Sequence, residues 1–531
     1  MVELEVRSPV TEEVIKRYKK ADDNEVTYTM RKARTALLFW KLAPLSHRMN
    51  NLSALKKVIV GNMDEIAARL SQVTGKVQME SLFSDVYPVI ETLAWYEKNA
   101  ARVLGTRSLR LPSIFGKTTA VTEQRPVGVA LVIAPSDYPF QKAMVPVISA
   151  LAAGNTVILK PSERSLDIGK LISIICRTAG IPEYVVQVVY GNGETGRKLI
   201  EAQPDAVFFS GSVVTGREVA AEAARSFVPA ELRLRGKDAM IVFGDANLPR
   251  AVEAAAYGAL ANSGQGASAL GKFYVQETVY EEFLRLLVER VKNVNVGHTM
   301  HSDMGAMISP EAVAAVENHI NDARRKGAIA LTEIKSNGNF VYPVVLKNVH
   351  HGMKLMKEEA HGPVLPVMQF TSEEDAIELA NEEKNGLGAG MTNGAAGSRG
   401  SVSVWTNERS RAGRVIAQLK ADACVVNDVI KNAASAALSF GISTGSVAAG
   451  RAVKRDNSFQ GPDGISAFTR VVPVVINNSS AVREAYWFPY TREFYEQMAT
   501  FLRMLNSATS GVFRLASLIR FNRYLRQRRS F

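Results

Sequence analysis

Two short stretches carry residue types suited to holding a nucleotide. Lys160-Pro-Ser-Glu163 sets a cation and a carboxylate three residues apart, directly after the apolar run Thr156–Leu159. A lysine and a glutamate at the carboxyl end of a parallel strand can share the two hydroxyls of a ribose, although a solvated turn would use the same residues. Ser210-Gly-Ser-Val-Val-Thr-Gly216 follows a second apolar run, Ala206–Phe209, and opens a helical pattern. Its glycines, Gly211 and Gly216, allow close backbone approach, and Ser212 can cap free N–H groups where a pyrophosphate would sit. The spacing departs from the common dinucleotide fingerprint, so the signal lies in the two stretches together. The obvious nucleophiles are few. Cys176 falls in a helical pattern and Cys424 in an apolar strand pattern, and these two are the only cysteines. They exclude a disulfide framework or a Cys-rich zinc site and read as small core residues.

The elements that must position these residues alternate. Strands at Val127–Ile133, Thr156–Leu159, Val185–Val189 and Ala206–Phe209 are interleaved with helical patterns at Met144–Ala153, Leu166–Ala179, Gly193–Ala202 and Gly216–Ser226. That alternation predicts βαβ units and a parallel sheet, an α/β fold. A second series runs from Ala239 to Asp428, with strands at Met240–Phe243, Phe273–Val275, Pro363–Phe370 and Ala423–Asn427. Ahead of both, helical periodicity fills Val10–Trp40, Leu52–Gly75 and Met79–Leu104, and Arg107–Pro112 with Thr118–Gln124 reads as two short strands.

With 531 residues, 47% of them apolar and 22% charged, the composition is that of a globular chain of several domains and excludes a disordered or collagen-like one. Acidic residues near Met1 argue against a secretory or transit peptide, and the expected location is cytoplasmic. The net charge of +12 is unevenly spread. Between Arg503 and Phe531 lie seven arginines and no acid, so the rest of the chain carries only +5. Phe513, Leu518, Phe521, Tyr524 and Leu525 interleave with those arginines at roughly helical spacing. Such a tail either lies on an anionic membrane or an acidic partner, or packs its apolar face on its own core. Specific nucleic-acid binding is not expected, because no stacking module accompanies the arginines.

Pro126-Val-Gly-Val, Tyr138-Pro139, Ala150-Leu-Ala-Ala-Gly-Asn-Thr-Val-Ile-Leu-Lys-Pro-Ser-Glu163, Phe209-Ser-Gly-Ser212, Gly236-Lys237, Asn262-Ser-Gly-Gln265 and Gly362-Pro-Val-Leu-Pro366 follow one another in order. In this the chain resembles the NAD(P)-dependent aldehyde dehydrogenase superfamily as far as about Thr469. The resemblance implies a Rossmann-like coenzyme lobe (1–106 and 125–235), an α/β catalytic-type lobe (236–435), an oligomerisation hairpin with its partner strand (107–124 and 465–476) and a C-terminal extension (477–531). It also implies dimers, with a second copy or a related subunit.

In such enzymes a cysteine attacks the aldehyde, a hydride leaves to the nicotinamide, and a glutamate activates the water that releases the acid. An asparagine side chain and a backbone N–H hold the oxyanion. Carried over by motif, the cysteine position is Ala267, the glutamate position Arg233 and the asparagine position Asp137; Arg235, Ser136 and His361 are further departures. Alanine offers no nucleophile and arginine no general base, and a carboxylate would repel the oxyanion. Ser268 is an unactivated neighbour. An Asp137–Arg233 ion pair plugging the old tunnel is one expectation, and independent drift of the two is the other. The coenzyme positions Lys160, Ser162, Glu163, Ser212, Gly216 and Glu359 are kept, which makes NAD the coenzyme these residues would take, with Glu163 disfavouring NADP. The resemblance therefore leads to a catalytically inactive scaffold, regulatory or binding protein; the alternative is an NAD-dependent oxidoreductase with weak or unusual activity on aldehydes.

Overall fold

The computed structural model describes all residues except 1, 112–116, 235–236, 267–268, 359–360, 383–399, 422, 430–445, 449–450, 454–460, 485, 506–510 and 531. Near-continuous apolar runs buried on both faces make two parallel sheets, as expected for strands covered by helices. In the first sheet, β1 (Val129–Ile133), β2 (Thr156–Lys160), β3 (Val186–Val188), β4 (Ala206–Gly211) and β5 (Ala230–Leu234) lie in the order β3-β2-β1-β4-β5, all parallel. The chain adds strands on one side of β1 and then returns to the other, so a crevice opens beyond the carboxyl ends of β1 and β4, where α/β sheets take their ligands.

The second sheet holds β6 (Asp238–Val242), β7 (Leu270–Gln276), β8 (Val344–Lys347), β9 (Val364–Phe370), β10 (Ser401–Trp405) and β11 (Ala423–Val426). They run parallel in the order β8-β9-β7-β6-β10-β11, with Ile329–Ala330 antiparallel along β8. Of these, β5, β8 and β10 were not among the strands read from the sequence.

Two compact units divide the chain. Met1–Val103 with Pro126–Thr469 holds both parallel sheets, and Leu104–Arg125 with Arg470–Phe531 forms the second unit. The hairpin and the C-terminal extension thus belong to one body rather than two. In that second unit Arg107–Leu109, Thr118–Pro126 and Thr469–Asn477 form a three-stranded sheet.

Three local readings are corrected. Val10–Trp40 is not helical throughout: Glu3–Arg7 pairs with Val14–Lys19 as an antiparallel hairpin before the helix Asp23–Trp40. Asp22 sets that boundary, because its carboxylate accepts the Glu25 N–H as an N-cap. Leu52–Gly75 is two helices, Leu45–Gly61 and Met63–Thr74, parted at Asn62, whose backbone (φ −123°, ψ 17°) is not helical. The partner strand begins at Thr469 and not Ile465, which lies in the helix α3 (Gly461–Ala467). Both cysteines occupy the predicted elements, Cys176 buried and Cys424 half-buried.

Candidate functional site

A cleft of about 960 Å³ sits at the carboxyl ends of β1, β2 and β4. Lys160, Ser162, Glu163, Gly211, Ser212 and Thr215 line it. The buried Lys160 ammonium lies 4.0 Å from the Glu163 carboxylate, which is half exposed. Burial lowers the lysine pKa, and the glutamate charge opposes that shift. Ser212 caps the helix α2 (Val213–Arg225, the one opened by the serine–glycine stretch), its Oγ accepting the Thr215 N–H at 3.3 Å. Gly216 does something other than line the cleft. A Cβ there would stand 2.2 Å from Leu234 Cδ2, so the missing side chain lets α2 close onto β5. His361 reaches the same cleft. Glu359 and Ala267 lie outside the described residues.

Past the end of β1 the chain turns into α1 (Pro139–Ala153; chain order places it ahead of α2), and this turn carries Asp137. Its backbone carbonyl accepts hydrogen bonds from Lys76 Nζ and Asn262 Nδ2, both at 3.0 Å. Its carboxylate, 3% exposed, pairs with Lys142 Nζ at 2.5 Å, about one and a half turns along. Lys76 is in turn paired with Asp85, both side chains wholly buried, and its ammonium lies 4.5 Å from the centre of the Tyr138 ring. Asp85 Oδ1 accepts the N–H groups of Phe140 and Gln141 at 3.1 and 3.0 Å. It so satisfies donors that the first turn of a helix otherwise leaves open. One buried carboxylate thereby fixes both Lys76 and the start of α1.

The loop leading toward position 267 is tightly held. Asn262, Ser263 and Gly264 have φ of 52°, 54° and 72°, a left-handed run that non-glycine residues adopt only where surroundings impose it. Here Ser263 Oγ donates to the Gly305 carbonyl at 2.9 Å, Gln265 Oε1 accepts the Ile308 N–H at 2.8 Å, and Gln265 Nε2 donates to the Asn262 carbonyl at 3.0 Å. At Gly264 a Cβ would meet the Gly362 carbonyl oxygen at 2.2 Å.

Asp137 and Arg233 take different charged neighbours. Asp137 takes its cation from Lys142. Arg233, on β5, is pushed down to about 9 by burial, against the supporting charges of Tyr96 and Glu231. It stays protonated at neutral pH and serves no base function. Lys142 and Glu231 were absent from the sequence reading. Lys142 had a signal, an (i, i+5) acid–base spacing across a helix start, but one too common to single out.

A second cavity, about 780 Å³, opens on the side of Ala261, the residue before Asn262. Met79, Phe83, Tyr257, Leu260 and Trp405 make its wall largely apolar, and Glu80 stands among them. Burial raises the Glu80 carboxyl to about 7, opposed by the Lys76 charge and by the Asn262 N–H it accepts. Its Oε1 has no hydrogen-bond partner among the described residues. Folding therefore favours the protonated acid, whose ordinary pKa is 4.5. The native state holds the extra proton between those two values, so this group's contribution to stability is complete below about 4.5 and is lost as the pH rises through about 7. Glu80→Gln should flatten that part of the profile, with melting temperatures of wild type and variant diverging as the pH climbs from 4.5 to 7. Parallel curves would show that Glu80 ionises normally.

Two parallel sheets, with a cleft at the switch point of the first, define an α/β protein of the kind that takes ligands beyond its strand ends, and comparison with known proteins gives its family. The model of the aldehyde dehydrogenase family matches residues 2–456, and the chain belongs to that family. It is 41% identical over 474 residues to the 4,4'-diapolycopene aldehyde oxidase of Methylomonas sp, covering 89% of this chain and 85% of that one. It is 32% identical over 396 residues to the NADP/NAD-dependent aldehyde dehydrogenase PuuC of Escherichia coli (strain K12), covering 73% and 77%. Among solved structures, the putative aldehyde dehydrogenase PutA from Anabaena variabilis superposes with a TM-score of 0.81 at 28% identity over 92% of this chain and 100% of that one. The NAD+ complex of the Bacillus cereus aldehyde dehydrogenase does so with 0.80 at 26% identity, over 90% and 94%.

Proposed function

We propose that the chain is a nucleotide- and aldehyde-binding member of the family in which the covalent route of aldehyde oxidation is closed. The observation that carries this reading is the Asp137–Lys142 pair. A buried, ion-paired carboxylate stands at the position where the family resemblance calls for an oxyanion donor, and the sequence puts alanine at the thiol position. The coenzyme half, by contrast, is intact in type. NAD would be held with its adenosine ribose on Lys160 and Glu163 and its pyrophosphate at the N-terminus of α2, and when bound it supplies a hydride acceptor. The Glu163 carboxylate accepts ribose hydroxyls and repels the extra phosphate of NADP. On the other side, the wall of Met79, Phe83, Leu260 and Trp405 suits an apolar aldehyde.

A second reading, slow aldehyde oxidation with NAD, is favoured by the 41% identity to a relative named as an aldehyde oxidase. One sample separates the two: calorimetric titration with NAD, NADH formation with apolar aldehydes, and sedimentation velocity. Binding without turnover is the expected result. Turnover would establish the second reading, and absence of NAD binding would sink the first. Glu163→Ala should weaken NAD about 10- to 100-fold, the loss expected for hydrogen bonds to a charged group, and narrow the preference over NADP. The same run tests self-association. Val471, Val475 and Ile476 on Thr469–Asn477 are exposed apolar residues that support pairing with a second copy, and a monomer at micromolar concentration would remove that part of the proposal.

A further inference from the structure

The C-terminal unit settles which residues of the arginine-rich tail face inward. Two helices, α4 (Arg492–Leu505) and α5 (Gly511–Ser530), pack around Phe494, Phe521 and Leu525, with Met498, Phe501 and Tyr524 alongside. Phe501 stacks on Phe521 at 4.3 Å between ring centres. Phe521, Tyr524 and Leu525 of the tail are thus spent on the hairpin itself, with Ile519 left exposed, and a membrane or partner must be met chiefly by something else.

That something is the segment leading into α4. Trp487, Phe488 and Tyr490 are exposed, Phe488 by 75%, and Tyr495 one turn into the helix by 72%. Large aromatic residues so exposed, in one stretch of chain, are unusual for a surface that meets only water. One arginine of α5 is brought to the same place. Arg528 donates to the carbonyls of Trp487 and Pro489 and to Thr491 Oγ1, and its guanidinium lies 4.2 Å from the Phe494 ring centre. The end of α5 is thereby fastened against the aromatic segment. Arg526 and Arg523, both exposed, lie two and five residues before that fastening point, about 3 and 7.5 Å along the helix axis and, at about 100° per residue, on its outward side. Arg492 starts α4 beside the same segment, its side chain 92% exposed and paired at 2.9 Å with the exposed Glu496, a surface contact that a lipid phosphate can displace.

We propose that this corner of the C-terminal unit is a docking surface for an anionic lipid bilayer, with Trp487, Phe488 and Tyr490 entering the headgroup region and Arg492, Arg523 and Arg526 meeting lipid phosphates. Trp and Tyr favour the membrane–water interface because one end of the ring is apolar and the other polar. Arginines near an anionic surface add a screened attraction. No described helix is long and apolar enough to cross a membrane, so the contact is peripheral. A nucleic acid would use the same arginines, but the exposed Trp487, Phe488 and Tyr490 suit a membrane–water interface, and the unit's three-stranded sheet carries no aromatic residue on which bases could stack.

The test is co-sedimentation of the full chain with vesicles of phosphatidylcholine alone or mixed with phosphatidylserine. Binding to the mixed vesicles that weakens with added salt is expected. Arg523→Gln with Arg526→Gln should weaken it about 25-fold, at roughly fivefold per arginine. Trp487→Ser with Phe488→Ser should weaken it at least about tenfold and flatten none of the salt dependence. Both double variants leave the Phe494–Phe521–Leu525 core and Arg528 untouched, so unchanged thermal melting serves as the folding control. Failure to bind mixed vesicles, or binding indifferent to Trp487 and Phe488, would overturn the proposal, as would retention by an RNA homopolymer in place of vesicles.

Discussion

Replacing Asp85 by alanine is expected to leave most of the protein unfolded under conditions where the wild type is native. Its carboxylate and the Lys76 ammonium are both fully buried. Removing one partner of such a pair leaves the other charged and unsolvated, which typically costs about 3–5 kcal/mol. The same substitution strips the Phe140 and Gln141 N–H groups of their acceptor, at about 1–3 kcal/mol for each buried donor left open. Together these approach the whole stability of an ordinary domain, about 5–15 kcal/mol. Asp85→Asn keeps an acceptor for the two N–H groups but not the charge, so it should fall between wild type and Asp85→Ala in urea titration. Adding Lys76→Met to Asp85→Asn removes the stranded ammonium and should recover part of the loss. An Asp85→Ala protein within about 1 kcal/mol of wild type would show that water reaches the pair. Because Lys76 also holds the Asp137 carbonyl, the stability of the fold and the placement of the candidate site rest on the same two charges.

How much of this could be read beforehand differs by level. The parallel sheets were legible because strands buried on both faces are near-continuous apolar runs, as in Thr156–Leu159 and Ala206–Phe209. The Glu3–Arg7 and Val14–Lys19 hairpin was not, since Val14-Ile-Lys-Arg-Tyr-Lys19 mixes apolar and charged residues with a period that suits a helix as well as a strand. β10 escaped because Ser401-Val-Ser-Val-Trp405 alternates like a half-exposed strand although all five residues are buried; the Ser403 hydroxyl accepts from Trp405 Nε1 and donates to the Asp428 carbonyl. At the site, Lys160, Glu163 and Ser212 announce themselves by type and position. The partners of Asp137 and Arg233 do not, because which of several nearby charges a buried side chain selects depends on how the sheet and α1 are set, and no linear spacing encodes that. The tail shows the same limit. Its arginines were visible as a run, whereas the aromatic segment at Trp487–Tyr490 gains meaning only once Arg528 ties it to the far end of α5.

If the covalent route is closed as proposed, Ala267→Cys is expected to give a chain that forms a covalent adduct with an aldehyde readily and releases product slowly. The thiolate is the nucleophile in this chemistry, and a nearby cation lowers a cysteine's pKa from its ordinary value of about 8.5. By family correspondence position 233 faces the same tunnel as position 267, and Arg233 keeps its charge at neutral pH. The introduced thiol should therefore alkylate quickly at pH 7, and an apolar aldehyde should protect it. Cys176, whose burial pushes its thiol up to about 12, supplies the unreactive reference in the same protein. Turnover needs more than the nucleophile. A missing oxyanion donor costs about 10²–10³ in rate and a missing general base about 10²–10⁴. Ala267→Cys with Asp137→Asn should accordingly form NADH about 10²-fold faster than Ala267→Cys alone. Arg233→Glu should add to that only alongside Glu231→Gln, since residues 231 and 233 share one face of β5 and two carboxylates there would hold a shared proton instead of acting as a base. A thiol at 267 that alkylates no faster than Cys176 would mean that this position does not open on the tunnel, and the case for a closed covalent route would have to rest on Asp137 alone.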